Sequence, residues 1–198
     1  MRFVEPVTLT GRHATLVPLA REHEAAVKAA AADGALWRLW YTGVPAPECT
    51  AAWIEAALAM RENLGAMPFV IRDNATGKVV GSTRYFNVET AHRRLEIGHT
   101  WYALRAQRTA VNTECKLLLL THAFEALKCI AVEFRTSFLN FPSRRAIERL
   151  GAKQDGILRS HQILPDGTLR DTVVFSIISG EWPAVKRNLG FLLERPRC

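Results

Sequence analysis

The chain has little in it that would take it out of water or cross-link it. Across its 198 residues no apolar run approaches the roughly 18 positions a membrane-spanning helix requires. The opening M-R-F-V-E-P-V-T lacks the basic stretch and following apolar stretch of a secretion signal, so a cytoplasmic location is expected. Four cysteines occur, Cys49, Cys115, Cys129 and Cys198, none in C-x-x-C spacing, which argues for reduced thiols rather than a disulfide framework. The patterns H-E-x-x-H, G-x-x-x-x-G-K-S/T and G-x-S-x-G are missing, and with them the signatures of zinc peptidases, P-loop nucleotide hydrolases and α/β-hydrolases. Internal repeats, low-complexity tracts and linkers are also absent.

What is present describes one soluble domain over residues 1–198, since 48% hydrophobic and 23% charged residues can build a sizeable core. Acidic residues are the scarcer charge, 19 against 26 basic ones, for a net charge of +7. A basic surface attracts polyanions. However, Arg93, Arg94, Arg105, Arg108, Arg144, Arg145 and Arg149 are not interleaved with aromatics as a base-stacking surface requires, so a few of them suit a small anionic ligand and most are expected to be solvated surface.

Ala14 to Leu19 reads as a first strand, and Arg21 to Ala32, rich in helix formers, as a helix ended by Asp33-Gly34. A second helix is expected from about Cys49 to Asn63, with Pro47 just ahead. Strands at Phe69 to Arg72 and Val79 to Asn87 flank D-N-A-T-G, a hairpin signal. A fourth strand, about Leu95 to Tyr102, leads through a loop into a helix over about Asn112 to Leu127, whose apolar residues recur at three and four. Then comes C-I-A-V-E-F-R-T-S-F-L-N-F-P-S-R-R-A-I-E-R-L-G-A: a strand from Ile130 to Leu139, a break at Asn140, and a short helix capped by Ser143 and closed by Gly151. Strands at about Gly156 to Leu164 and Thr168 to Ile178, joined through P-D-G, and a helix at about Trp182 to Leu193 complete the chain. Seven strands with helices after the first, fourth and fifth give an α/β (α+β) layout. The sheet is mixed and mostly antiparallel, with helices on both faces and strands four and five parallel.

Asn140 and Ser143 fall where a strand ends and a helix begins, the place where α/β sheets bind ligands. The spacing N-x-x-S followed by A-I-E-R-L-G resembles the acetyl-CoA-dependent N-acetyltransferases of the GNAT superfamily. The strand order, from L-T-G-R-H-A-T-L-V-P-L to D-T-V-V-F-S-I, resembles theirs too, most closely the RimJ/RimL type named for enzymes that acetylate the N-terminal amine of ribosomal proteins. The resemblance implies a GNAT fold whose two parallel strands splay apart. It also implies acetyl-CoA as co-substrate without a metal, and acetyl transfer by direct attack of a primary amine, either a protein N-terminal α-amine or a small-molecule amine. It leaves room for a homodimer, and for nucleic acid only indirectly, through a ribosomal substrate. Two other readings stay open: a non-catalytic acyl-CoA-binding or regulatory protein, and a basic ribosome- or RNA-associated module.

By the same resemblance, Q-R-T-A-V-N matches a phosphate loop of pattern Q/R-x-x-G-x-G/A. Gln107, Arg108, Thr109, Ala110, Val111, Asn112 and Thr113 are then expected to wrap a pyrophosphate with backbone N–H groups and a helix N-terminus. Ala110 replaces the pattern's glycine and Asn112 its final small residue. If position 110 takes a positive φ, the Ala110 Cβ strains the loop by roughly 1 kcal/mol. Backbone groups of Thr100, Trp101 and Tyr102 are expected to align the acetyl arm, Asn140 to hold the pantetheine arm or Ser143, and Ser143 to protonate the leaving sulfur. Glu96, in R-L-E-I-G-H, is the expected base beside the acceptor, with a solvent-face glutamate paired to Arg93 or Arg94 as the alternative. His99 is a secondary candidate, although three residues on it faces the other side of a regular strand unless a bulge intervenes. Trp37, Trp40 and Tyr41 are expected to wall the acceptor site with Glu96, and His161 either borders that site or lies on the surface.

Overall fold

In the computed structural model, which describes residues 2–195, the chain opens with two short paired strands, β1 (Leu9–Thr10) and β2 (Ala14–Pro18). Two helices follow, α1 (Glu24–Ala32) and α2 (Thr50–Leu64), then the hairpin of β3 (Met67–Asp73) and β4 (Val79–Glu89). In its turn the Asp73 carboxylate accepts from the Ala75 N–H and the Thr76 hydroxyl, and Gly77 takes the left-handed φ of 69° that side chains resist. Next come β5 (Arg94–Tyr102), α3 (Ala110–Thr121), β6 (Ala131–Ser137), α4 (Phe141–Glu148), β7 (Lys153–Ile163), β8 (Leu169–Ile178) and α5 (Trp182–Glu194). The strands form one sheet ordered β1-β2-β3-β4-β5-β6-β8-β7, antiparallel at every step except β5 against β6.

Among the described residues the sheet thus has eight strands where the sequence pattern gives seven. The addition is β1, which is too short for any periodicity and exists through the pairs Leu9↔Leu16 and Thr10↔Thr15. A buried carboxylate holds that corner: Glu114 of α3 accepts from the backbone N–H groups of Arg12, His13 and Ala14 at 2.9, 2.5 and 2.7 Å. Glu114→Ala leaves three backbone donors, that of Ala14 buried, without their carboxylate and is expected to cost about 3 kcal/mol in denaturant unfolding, with Glu114→Gln recovering part of it.

Helices cover both faces. On one, α1 and α2 pack Val27, Ala30, Ile54 and Ala57 over Val70 and Trp101. On the other, α3 and α5 place Leu119, Leu120, Val185 and Leu189 against Phe69, Ile71, Ile97, Phe134 and Phe175. The α3 pattern, expected to continue to Leu127, widens after Thr121 into one π-type turn over His122–Ala126, closed by the Leu127 N–H donating to the His122 carbonyl. Of the cysteines, Cys49 is exposed, Cys115 and Cys129 are buried free thiols, and Cys198 lies outside the described residues. Among the described residues no helix is long and apolar enough to cross a membrane, and no group of three or more His, Cys, Asp or Glu could hold a metal ion.

Two irregularities make the site. Strands β5 and β6 pair only through Arg94↔Ala131, Leu95↔Val132 and Glu96↔Glu133, and beyond these each runs on alone to Tyr102 and Ser137, so the sheet splits. Between β4 and β5 the register passes from Arg84↔Gly98 to Ser82↔Trp101, which sets His99 and Thr100 together opposite Thr83. This is a bulge, with His99 at φ 48°.

Candidate active site

The split opens into a cavity of about 670 Å³ whose lining includes Glu96, His99, Thr100, Lys116, Arg135, Asn140, Ser143 and Arg170. Leu95 and Ile97 point into the α3-side core, so Glu96 between them points to the α1–α2 face. The register pairs Glu96↔Glu133, Glu133↔Ser176, Arg135↔Val174 and Ser137↔Thr172 extend that face across β6 and β8. Lys116 and Phe134 approach the cavity from the α3 side. The split therefore joins the two faces of the sheet.

Glu96 is 3% exposed. It is not the solvent-face glutamate of the alternative reading: Asn87 Nδ2 donates to its Oε2 at 2.9 Å, and Arg135 Nε stands 3.5 Å from the same oxygen. Arg94 instead pairs with Glu133, which also holds Arg135 at 2.9 Å. Burial pushes the Glu96 pKa above the ordinary carboxylate range despite Asn87 and Arg135, and the Glu133 charge adds to the rise. The bulge turns His99 onto the Glu96 face, with its ring 4.8 Å from that of Phe86. His99 has surface open to the cavity, yet the protein around it and the Arg84 guanidinium hold its pKa below the usual imidazole value, so it is neutral at pH 7.

The phosphate-loop residues are divided by the structure. Gln107 and Asn112 line the main cavity, where Gln107 Nε2 donates to the Tyr102 carbonyl and the buried Asn112 Oδ1 has no partner among the described residues. Thr109, Ala110 and Val111 line a smaller neighbouring pocket, and Arg108 and Thr113 line neither; Thr113 accepts from Arg149 Nη2 at 3.1 Å. The expected strain at Ala110 is corrected. Ala110 is the first residue of α3, Thr109 is its N-cap with Oγ1 accepting from the Val111 N–H, and the positive φ, 59°, falls on Arg108. An Ala110→Gly change therefore relieves nothing.

The cap of α4 is likewise Asn140 rather than Ser143. Asn140 Oδ1 accepts from the Ser143 N–H at 3.1 Å, because Pro142 suits the first turn and starts the helix at Phe141. Ser143 lines the cavity. Thr100 and Tyr102 line the cavity. Trp101 lines it too, but its ring sits in the α2-side core, 6.2 Å from that of Trp53. Of the expected acceptor aromatics only Tyr41 reaches the cavity; Trp37 does not line it, and Trp40 is 57% exposed, its ring edge-on to Tyr41. His161 does line it, with Nδ1 3.1 Å from Thr172 Oγ1.

Sequence reasoning missed Lys116, Arg135 and Arg170. Lys116 is 6% exposed, and its Nζ donates to Thr100 Oγ1 at 2.9 Å. Burial lowers its pKa to about 8. A signal existed: Lys116 stands three, four and seven residues before Leu119, Leu120 and Ala123, on the buried stripe of its helix.

The acetyltransferase (GNAT) domain profile matches residues 13–153, most of the chain and all of the split-strand region. The chain belongs to the GNAT acetyltransferase family. This acetyltransferase has the GNAT fold, and its chemistry is acyl-CoA-dependent acetyl transfer. Among solved structures, it is similar to a T. thermophilus protein classed as an acetyltransferase, with 35% identity over 96% of this chain and 98% of that one and a TM-score of 0.84. It is also similar to a GCN5-related N-acetyltransferase from Brucella melitensis, with 29% identity over 96% and 86% and a TM-score of 0.86. Mycobacterium smegmatis RimJ, solved in complex with CoA-disulfide, shares 23% identity over 98% of each chain with a TM-score of 0.79, a likeness of fold alone. No curated protein matches the chain.

Proposed function

We propose that this acetyltransferase moves an acetyl group from acetyl-CoA to a primary amine by direct attack, with Glu96 as the base. The observation that carries the reading is Glu96 itself: a buried carboxyl at the point where β5 and β6 part, with its pKa held above normal. A carboxylate so poised accepts a proton better than an ordinary one near neutral pH. Asn87 and Arg135 fix its orientation, and the neutral His99 ring on the same face adds no charge to oppose an incoming ammonium.

The α3 side of the split suits the cofactor. Asn112 Oδ1 is a buried acceptor without a partner among the described residues, and the capped N-terminus of the 12-residue α3 offers free N–H groups to phosphates. When bound, acetyl-CoA supplies the acyl group as a thioester whose sulfur leaves as a thiol or thiolate. Ser143, a lining residue, supplies the hydroxyl that donates a proton to it. Lys116 supplies a buried cation, with no carboxylate partner among the described residues, to offset developing negative charge. The RimJ/RimL-type reading, with a protein N-terminal amine as acceptor, rests on the N-x-x-S and R-L-E-I-G-H motifs and on the fold likeness to RimJ.

The test combines calorimetry with acetyl-CoA and a thiol-release assay across N-terminal peptides and small amines. Acetyl-CoA binding with amine-dependent thiol release is expected; binding without turnover on any amine would sink the reading. Ser143→Ala is expected to lower kcat about tenfold. Because the α4 cap is Asn140, the same change should leave thermal stability nearly untouched, and an unchanged kcat would remove the hydroxyl from the mechanism.

A further inference from the structure

The Glu96 face carries one cation that neither the fold nor the proton transfer uses. Arg170 is half-buried at the cavity wall, two residues before Thr172 on β8 and paired in register with Gln162. Its guanidinium has no hydrogen-bond or ion-pair partner among the described residues, and its Nε is sealed from solvent without an acceptor. The Glu96 charge reaches it across the cavity without a contact, and does not offset the burial that lowers its pKa. The nearby carboxylates are taken by others: Glu133 by Arg94 and Arg135, Asp171 by Arg159, and Glu96 by Asn87 and Arg135. Holding a guanidinium in this state costs free energy that a fold gains nothing from, unless a ligand completes it.

The surroundings indicate what that ligand carries. A bulge in β7, where Leu158↔Thr172 is followed by Gln162↔Arg170, brings His161 and Gln162 to the cavity wall beside Arg170. The lining holds Lys116, Arg135 and Arg170 as formal cations against Glu96 as the one formal anion among the described lining residues. An amine entering as an ammonium meets unfavourable charge there, whereas a molecule that also bears a carboxylate does not. A planar carboxylate matches the guanidinium fork in shape, and its charge offsets that of Arg170.

We propose that Arg170, flanked by His161 and Gln162, is a recognition subsite for a carboxylate carried on the same molecule as the acceptor amine. The substrate class is then an amino acid, or a peptide whose first residue is acidic. This rests on the amine-acetylation reading of Glu96.

Matched acceptor pairs test it: free amino acids against their amides, and peptides beginning with Asp against those beginning with Asn. In the wild-type enzyme the carboxylate member of at least one pair is expected to have a kcat/KM about tenfold higher or more, mainly through KM. In Arg170→Gln that preference should fall to near parity while the amide member changes less than about threefold, and Arg170→Lys should lie between. The pair that responds identifies the source, amino acid or peptide. Parity in the wild-type enzyme, or equal loss for both members in Arg170→Gln, overturns the subsite. If no amine is turned over, the transfer reading fails. Calorimetry of the same amino-carboxylates on CoA-loaded wild-type and Arg170→Gln protein then decides the subsite separately. Binding weakened about tenfold in the variant sustains it, and identical binding removes it.

Discussion

Glu96→Gln is expected to lower kcat/KM by about 10²-fold or more near neutral pH while leaving acetyl-CoA affinity within about twofold. Glutamine preserves the shape and the contact with Asn87 but cannot take a proton. The wild-type rate should climb as Glu96 ionises, at a pH above the ordinary carboxylate range because burial raises its pKa. The variant should lose that limb and keep only the rise from the amine's own deprotonation, so its deficit shrinks at alkaline pH. Stability should move the other way. A carboxyl whose folded pKa lies above its unfolded value stabilises the fold while protonated, and that contribution is lost as pH rises through the folded value. Above its folded pKa the ionised Glu96 therefore burdens the fold, and there Glu96→Gln should melt at the same temperature or higher. Kinetic pH profiles with thermal unfolding check both halves, and an unchanged rate would exclude Glu96 as the base.

Lys116→Met should likewise separate stability from activity. The folded pKa of about 8 against an ordinary 10.5 means that the buried ammonium opposes folding at pH 7, by on the order of 3 kcal/mol. For a cation with a depressed folded pKa, this burden is present below the folded value and is relieved as pH rises from about 8 towards 10.5. Lys116→Met should therefore be more stable than wild type at pH 7, with the difference narrowing across that window, while kcat falls about tenfold for want of the cation. Denaturant unfolding of both proteins from pH 7 to 10 reads the first effect and thiol release the second. A variant that is less stable at pH 7 and equally active would make Lys116 a packing residue.

Neither effect is visible in the sequence, although much else is. The hairpins at D-N-A-T-G and P-D-G are legible because turn residues there have conformations few others adopt. The helices α1, α2, α3 and α5 are legible because each carries a long apolar or helix-forming run. Local competition blurs the rest. At N-F-P-S both Asn140 and Ser143 can cap a helix, and the proline in the first turn decides for Asn140. At Q-R-T-A-V-N a motif aligned by position puts the unusual φ on Ala110, whereas the Thr109 cap starts the helix there and shifts it to Arg108. Trp37, Trp40 and Tyr41 share one short segment, and a residue count cannot say that only Tyr41 turns inwards.

Patterns local to the chain were enough for the order of the helices and of every strand but β1, for the placement of Glu96, Asn140 and Ser143 at strand and helix ends, and for the family. Three features came instead from the packing of distant segments. Strands β5 and β6 pair for three residues and then part, a bulge brings His99 to the Glu96 face, and Lys116 and Arg170 reach the same cavity without carboxylate partners among the described residues. Burial and the choice of ion-pair partners set the charge state of each group, and both arise only when residues far apart in sequence are brought together.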